Sequence, residues 1–268
     1  FFPAGTYVVN GKVSCYAGQN FIGEGAVLDV SAYNDVFLSY NEADTFDFLN
    51  YYPPTLIQGF KVMGKVSTSS PNVNFVFAKI NRTPYVTIAN CTLYYAGCAW
   101  VLGESILCKF DSVTCLNPIS SSYSFVLGTG DFGPNGCTLV NCQIEEQKYP
   151  CTGVFIQSGG INIDNCYMES LATLVHLSGG NAFITNTAMG LRWQIGATAV
   201  LVDQPATLRM DNCSITFGGS AGTPIDQYVL NVNATTALTF VNNEILCTSS
   251  NVDTATCFAL KALVTGVI

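Results

Sequence analysis

Hydrophobic and polar residues alternate along most of this chain, and one polar pair punctuates the alternation. The pattern apolar-x-apolar-x-Asn-Cys-x-apolar is clearest at 86–93, 138–144, 161–168 and 208–215, with Asn90-Cys91, Asn141-Cys142, Asn165-Cys166 and Asn212-Cys213 at its centre. Weaker copies centre on Asp111, Asn186 and Asn242. The copies follow one another at roughly 20–30 residues, with period-2 alternation inside each, which is the signature of a solenoid of short strands. Val, Ile, Thr, Phe and Tyr fill the alternating stretches, with Gly, Asn and Ser between them.

These units predict an all-β fold, a right-handed, single-stranded parallel β-helix of about nine coils. Two earlier stretches, Phe21-Ile22-Gly23-Glu24-Gly25 and Leu56-Ile57-Gln58-Gly59-Phe60-Lys61-Val62, fit as its first coils. The whole of 1–268 reads as one domain, with 1–55 as an opening cap and first coil and 56–268 as the repeated coils. The anchor Asn has a structural reason. Asn tolerates the left-handed conformation at a bend, and stacked Asn side chains can satisfy one another along the rod.

Composition sharpens this picture. Charged residues make up 10% of the chain, as suits strands that are mostly stacked or buried, and the formal net charge is −8. Only Arg82, Arg192 and Arg209 represent arginine, so no basic face is available for nucleic acid. No apolar run reaches the length of a membrane span. Phe1-Phe2-Pro3 opens in mid-pattern, which leads us to expect a fragment of a longer chain.

Twelve Cys are present. Cys91, Cys142, Cys166 and Cys213 hold the same place in their repeats, so they should form one column of unpaired thiols along the rod, packed as small hydrophobes. No CxxC pair occurs, and neither a metal nor a cofactor is expected.

The opening, Phe2-Pro3-Ala4-Gly5-Thr6-Tyr7-Val8-Val9 with Val13 and then Ile22-Gly23-Glu24-Gly25, resembles the start of pectate-lyase-like β-helices. It is most similar to phage tailspikes and their polysaccharide-depolymerase relatives, where such a strand caps the helix and a G-x-G turn follows. The resemblance implies a homotrimer on a virion tail or another extracellular surface, with a host surface glycan as partner. It does not extend to plant-pectin chemistry. Asn186-Thr187 is followed by Ala188, no Asp-Asp pair exists, and the single His, His176, precedes Leu177.

Candidate chemistry comes from the repeat register. Glu145 and Glu169 each follow their anchor Asn by four residues, so they should lie side by side on adjacent coils, roughly 5 Å apart. That spacing suits an acid and nucleophile pair of a retaining glycosidase, since a like-charged neighbour raises one of the two pKa values. Two unrelated Glu on a solvated edge would look the same. Glu146 sits beside them. The insertion Gly128-Thr129-Gly130-Asp131-Phe132-Gly133-Pro134-Asn135-Gly136 carries Asp131 as a loop-borne alternative acid and Phe132 as a sugar contact. Arg192-Trp193 reads either as a sugar platform or as core. The aromatic and acidic stretch 33–52 reads as a sugar-stacking surface or a subunit contact. Matching Ile156-Gln157-Ser158-Gly159-Gly160 to His176-Leu177-Ser178-Gly179-Gly180 aligns His176 with Ile156 and predicts a packed histidine.

Three functions fit this reading. The first is a tailspike-type domain that binds a host surface polysaccharide, with or without cleaving it. The second is a non-catalytic structural or adhesive β-helix of a virion. The third is a secreted carbohydrate-active lyase or hydrolase.

Overall fold

A computed structural model describes residues 1–41, 52–65, 74–103, 105–116, 123–128, 133–145, 151–192, 196–218, 227–247, 258–260 and 264–267. Among the described residues every regular element is a strand. The strands form two sheets, one of 18 and one of ten, and all inter-strand pairs are parallel between successive coils. This is a right-handed parallel β-helix. The ten strands of the smaller sheet count one coil more than the repeat alone suggests. The extra coil comes from the ends, where the pattern is weak: Val13–Cys15 opens that sheet and Phe258–Leu260 closes it.

The larger sheet is bent, and the repeat explains the bend. In the central coils each coil gives it two strands, such as Val86–Ala89 and Thr92–Tyr94, joined by two residues. The first of the two is left-handed in each: Asn90, Ser112, Asn141, Asn165, Asn186, Asn212 and Asn242 all have φ between 50° and 56°. Such a residue costs little only for Gly or for a short polar side chain such as Asn. It places two successive side chains outside the coil, so that both strands turn the same face inward. In the first copy Val86, Ile88, Cys91 and Leu93 are buried while Asn90 is exposed. The copy assigned to Asp111 is shifted by one. Ser112 takes the left-handed bend, and Asp111 pairs with Ala89 and Val140 on its two flanks.

The core is a set of columns. On the first arm of the bent sheet Ile57, Ile88, Phe110, Leu139, Ile163, Ile184, Met210 and Phe240 are successive register partners. Facing them across the coil run Leu38, Ala78, Ala99, Phe125, Val154, Val175, Val200 and Leu230. All sixteen are buried, and each large apolar side chain so buried contributes about 1.5–3 kcal/mol.

The opening coil forms as the sequence suggests. Gly5–Val8 pairs with residues 26–29 as the first rung. The Gly23-Glu24-Gly25 segment, however, is not a turn. It lies inside the strand Phe21–Asp29, where the register jumps between Ile22↔Gln58 and Ala26↔Phe60. The surplus residues bulge outward and hold the first segment, with Phe2 N donating to Ile22 O (2.7 Å) and Glu24 N to Phe2 O (3.0 Å). In the stretch 33–52, Phe37 and Tyr40 are core residues, and the Tyr40 hydroxyl donates to Gln19 O at 3.0 Å. Residues 42–51 lie outside the described residues.

Candidate functional site

The second arm of the bent sheet carries the acidic pair. Strands Gln143–Glu145 and Tyr167–Glu169 run side by side, with Gln143↔Tyr167, Ile144↔Met168 and Glu145↔Glu169 as partners. Ile144 and Met168 point into the core, so period-2 alternation sends the flanking residues the other way. The register expected for Glu145 and Glu169 is therefore present. Each carboxylate accepts from the residue two positions back. Gln143 Nε2 donates to Glu145 Oε2 at 3.1 Å, and the Tyr167 hydroxyl donates to Glu169 Oε2. Gln143 and Tyr167 were not candidates on sequence grounds, although the same alternation marks residue i−2 as a neighbour on one face.

The next coil leaves room. Ala188 and Gly190 are the register partners of Tyr167 and Glu169. A Cβ added at Gly190 would lie 3.1 Å from Glu169 Cγ and 3.5 Å from its Oε1, so the Glu169 side chain occupies the space above that glycine. Glu169 is 7% exposed and Tyr167 38%. The phenol thus forms the outer surface and the carboxylate the layer beneath it. Glu145 is partly exposed. The row offers an amide, two carboxylates and a phenol ring in register.

The other candidates fall elsewhere. Asp131, Phe132, Glu146 and Trp193 lie outside the described residues, and Arg192 is described only in its backbone, on the strand Ala188–Arg192 opposite Gly218. The ends of the loop that carries Asp131 are in place. Gly128 and Gly133 lie against Ser158, and Gly160 N donates to Pro134 O at 2.9 Å.

His176 departs from expectation. Its partner is Phe155, not Ile156, because Ile156 pairs with Leu177. The Ser-Gly-Gly match that suggested the alignment is offset by one residue, as Gly160 pairs with Asn181. A one-residue slip reverses the face, so His176 stands on the outside of the ten-stranded sheet. There its Nε2 lies 2.8 Å from Asp203 Oδ2. Its ring is 4.9 Å from that of Phe155, which stacks at 4.8 Å on Tyr123. Among the described residues no group of three or more His, Cys, Asp or Glu is placed to hold a metal.

Known structures share this architecture. PfbA, a surface adhesin of Streptococcus pneumoniae, aligns over 97% of this chain and 82% of its own, with a TM-score of 0.57 and 13% identity. A second PfbA structure gives a TM-score of 0.53 and 12% identity over the whole of this chain. ORF18 of Geobacillus virus E2 aligns over 90% of this chain with a TM-score of 0.57 and 10% identity, and the chain spans about half of that protein (53%). At these identities the likeness is one of fold. No protein-family model matches the chain, and no curated protein does.

Proposed function

We propose that this chain is the β-helical body of a tailspike-type or surface adhesin that binds a host surface polysaccharide on the second arm of its bent sheet. The observation that carries this reading is the in-register row Gln143, Glu145, Tyr167 and Glu169 beside the small residues Ala188 and Gly190. Carboxylates accept from sugar hydroxyls, and a half-exposed phenol offers an apolar face to a pyranose ring. A negatively charged chain with three arginines suits a neutral or cationic glycan better than a polyanionic one. The fold shared with a bacterial adhesin and a viral protein agrees with a place on a virion tail or another extracellular surface. The second reading, cleavage, assigns Glu145 and Glu169 as acid and nucleophile, with Asp131 as the loop-borne alternative and Glu146, Phe132, Arg192 and Trp193 as flanking contacts.

Titration calorimetry of the full chain with purified host capsular and cell-wall polysaccharides tests the reading. Binding is expected, and it should weaken at least about tenfold on Tyr167→Ala. If the row also cleaves, new reducing ends appear, and Glu145→Gln or Glu169→Gln lowers their rate by about 100-fold or more while binding persists. Binding without new reducing ends leaves the adhesive reading alone. No binding to any host polysaccharide would overturn both.

A further inference from the structure

Ten of the twelve cysteines have described side chains, and all ten are buried and unpaired. Burial alone does not explain their placement. Cys91, Cys142, Cys166 and Cys213 each follow a left-handed bend residue, and each thiol donates to the carbonyl two residues back. The acceptors are Ala89 O (3.3 Å), Val140 O (3.4 Å), Asp164 O (3.3 Å) and Asp211 O (3.6 Å). Three of these thiols also reach a neighbouring coil, at Phe110 O (3.4 Å), Leu139 O (3.7 Å) and Ile184 O (3.5 Å). Where the column lacks a cysteine, Thr187 makes the same bond, its Oγ1 donating to Thr185 O at 2.8 Å. The corner thus selects a small side chain that carries a proton donor. A disulfide sulfur has no proton to give, and a buried carbonyl left without its donor is costly.

The thiols are also within reach of one another. Those of Cys142 and Cys166 are hydrogen-bonded across adjacent coils, as are those of Cys108 and Cys137. An oxidant that meets the chain before its coils close therefore finds cysteine partners ready. Once the coils are closed the situation reverses. Burial pushes the Cys91 thiol up to about 11 and holds Cys98 well above its ordinary value. The reactive thiolate is then scarce, and no oxidant has access.

We propose that the bend thiols make folding of this rod conditional on a reducing compartment. The coils close with every corner thiol protonated, the closed core seals the thiols, and the protein meets an oxidising exterior already folded. This inference is independent of the glycan reading. It favours release of a folded rod over passage of an unfolded chain through an oxidising compartment.

The full chain, made by cell-free translation with dithiothreitol in one arm and with glutathione disulfide in the other, tests this. In the oxidising arm a cysteine thiolate displaces one glutathione thiolate from glutathione disulfide. A second cysteine thiolate displaces the other and closes a protein disulfide, so each glutathione disulfide yields two glutathiones. Protease-resistant rod should form in the reducing arm and fall at least about tenfold in the oxidising arm. Rod made in the reducing arm and then given glutathione disulfide should show neither adducts nor disulfides among these ten cysteines by mass spectrometry. Equal or greater yield with oxidant would overturn the proposal. So would the absence of rod in the reducing arm, because protonated thiols would then not suffice, or adducts on the ten in the folded rod.

Discussion

Asn165 shows at one position what the repeated asparagine does. Its φ of 50° fixes the bend, and its Nδ2 donates to Asn141 Oδ1 at 2.7 Å on the preceding coil. Asn212 donates to Asn186 in the same way at 2.8 Å, but the ladder is not made of asparagine alone. Asn141, Asn186 and Asn242 donate to the carboxylates of Asp111, Asp164 and Asp211. Asn165→Ala loses the hydrogen bond and puts alanine in the left-handed region, about 2 kcal/mol in all. Asn165→Gly loses only the bond and should cost about half as much. Urea midpoints will show the order, and equal losses would remove conformation as the reason for asparagine. The three carboxylates give the fold an acid limit. Lys109 lowers the pKa of Asp111, Thr185 that of Asp164 and Arg209 that of Asp211, each helped by the ladder. Since the folded values are depressed, their stabilisation is present above about pH 4 and is lost as pH falls through the folded values. Urea midpoints should hold from pH 7 to pH 5 and drop below pH 4, with a smaller drop in Asp164→Asn.

At the scale of the element, the strand Phe21–Asp29 depends on its partner's glycine. Gly59 has φ +77°, and a Cβ there would lie 2.0 Å from the Gly23 carbonyl oxygen. Backbone meets backbone at this bulge, so neither side can yield. Gly59→Ala should cost about 3 kcal/mol or more, combining strain with a clash. Gly11, with no atom within 4 Å of an added Cβ, is the control, and Gly11→Ala should stay within about 0.5 kcal/mol. Thermal melts of the two variants decide this, and similar melting temperatures would mean that the bulge relaxes. The same scale separates the legible from the illegible in the acidic row. Counting four residues from each anchor asparagine was enough to pair Glu145 with Glu169, because both arms keep strict alternation. It failed for His176, where a match of Ser-Gly-Gly between two loops stood in for strand register.

At the scale of the molecule, the rod carries exposed apolar side chains on its flanks. Phe183, Tyr167 and Leu246 on the bent sheet are each about two-fifths exposed. A chain with 10% charged residues does little to keep such surfaces apart. A homotrimer that buries them on a shared axis is the expected assembly. Sedimentation equilibrium at micromolar concentration should return three times the 28.7 kDa chain mass. A strict monomer would remove the assembly part of the tailspike reading and leave the single rod as the binding unit.

Alternation, the Asn-Cys pair and their spacing by themselves determined a parallel β-helix, its core columns, its unpaired thiol column and the pairing of Glu145 with Glu169. These are consequences of a fixed period, and a period is a local property of the chain. Tertiary structure alone decided what occupies each corner and what faces outward. Ser112 rather than Asp111 bends its coil, because the inward pairing of Phe110 with Ile88 and Leu139 fixes which residue is left to turn. Tyr40 and Phe37 went to the core because the single-strand sheet brings them over Phe21 and Phe77. His176 went outward to Asp203, 27 residues away, because one residue of loop length separates the inner face of a strand from the outer.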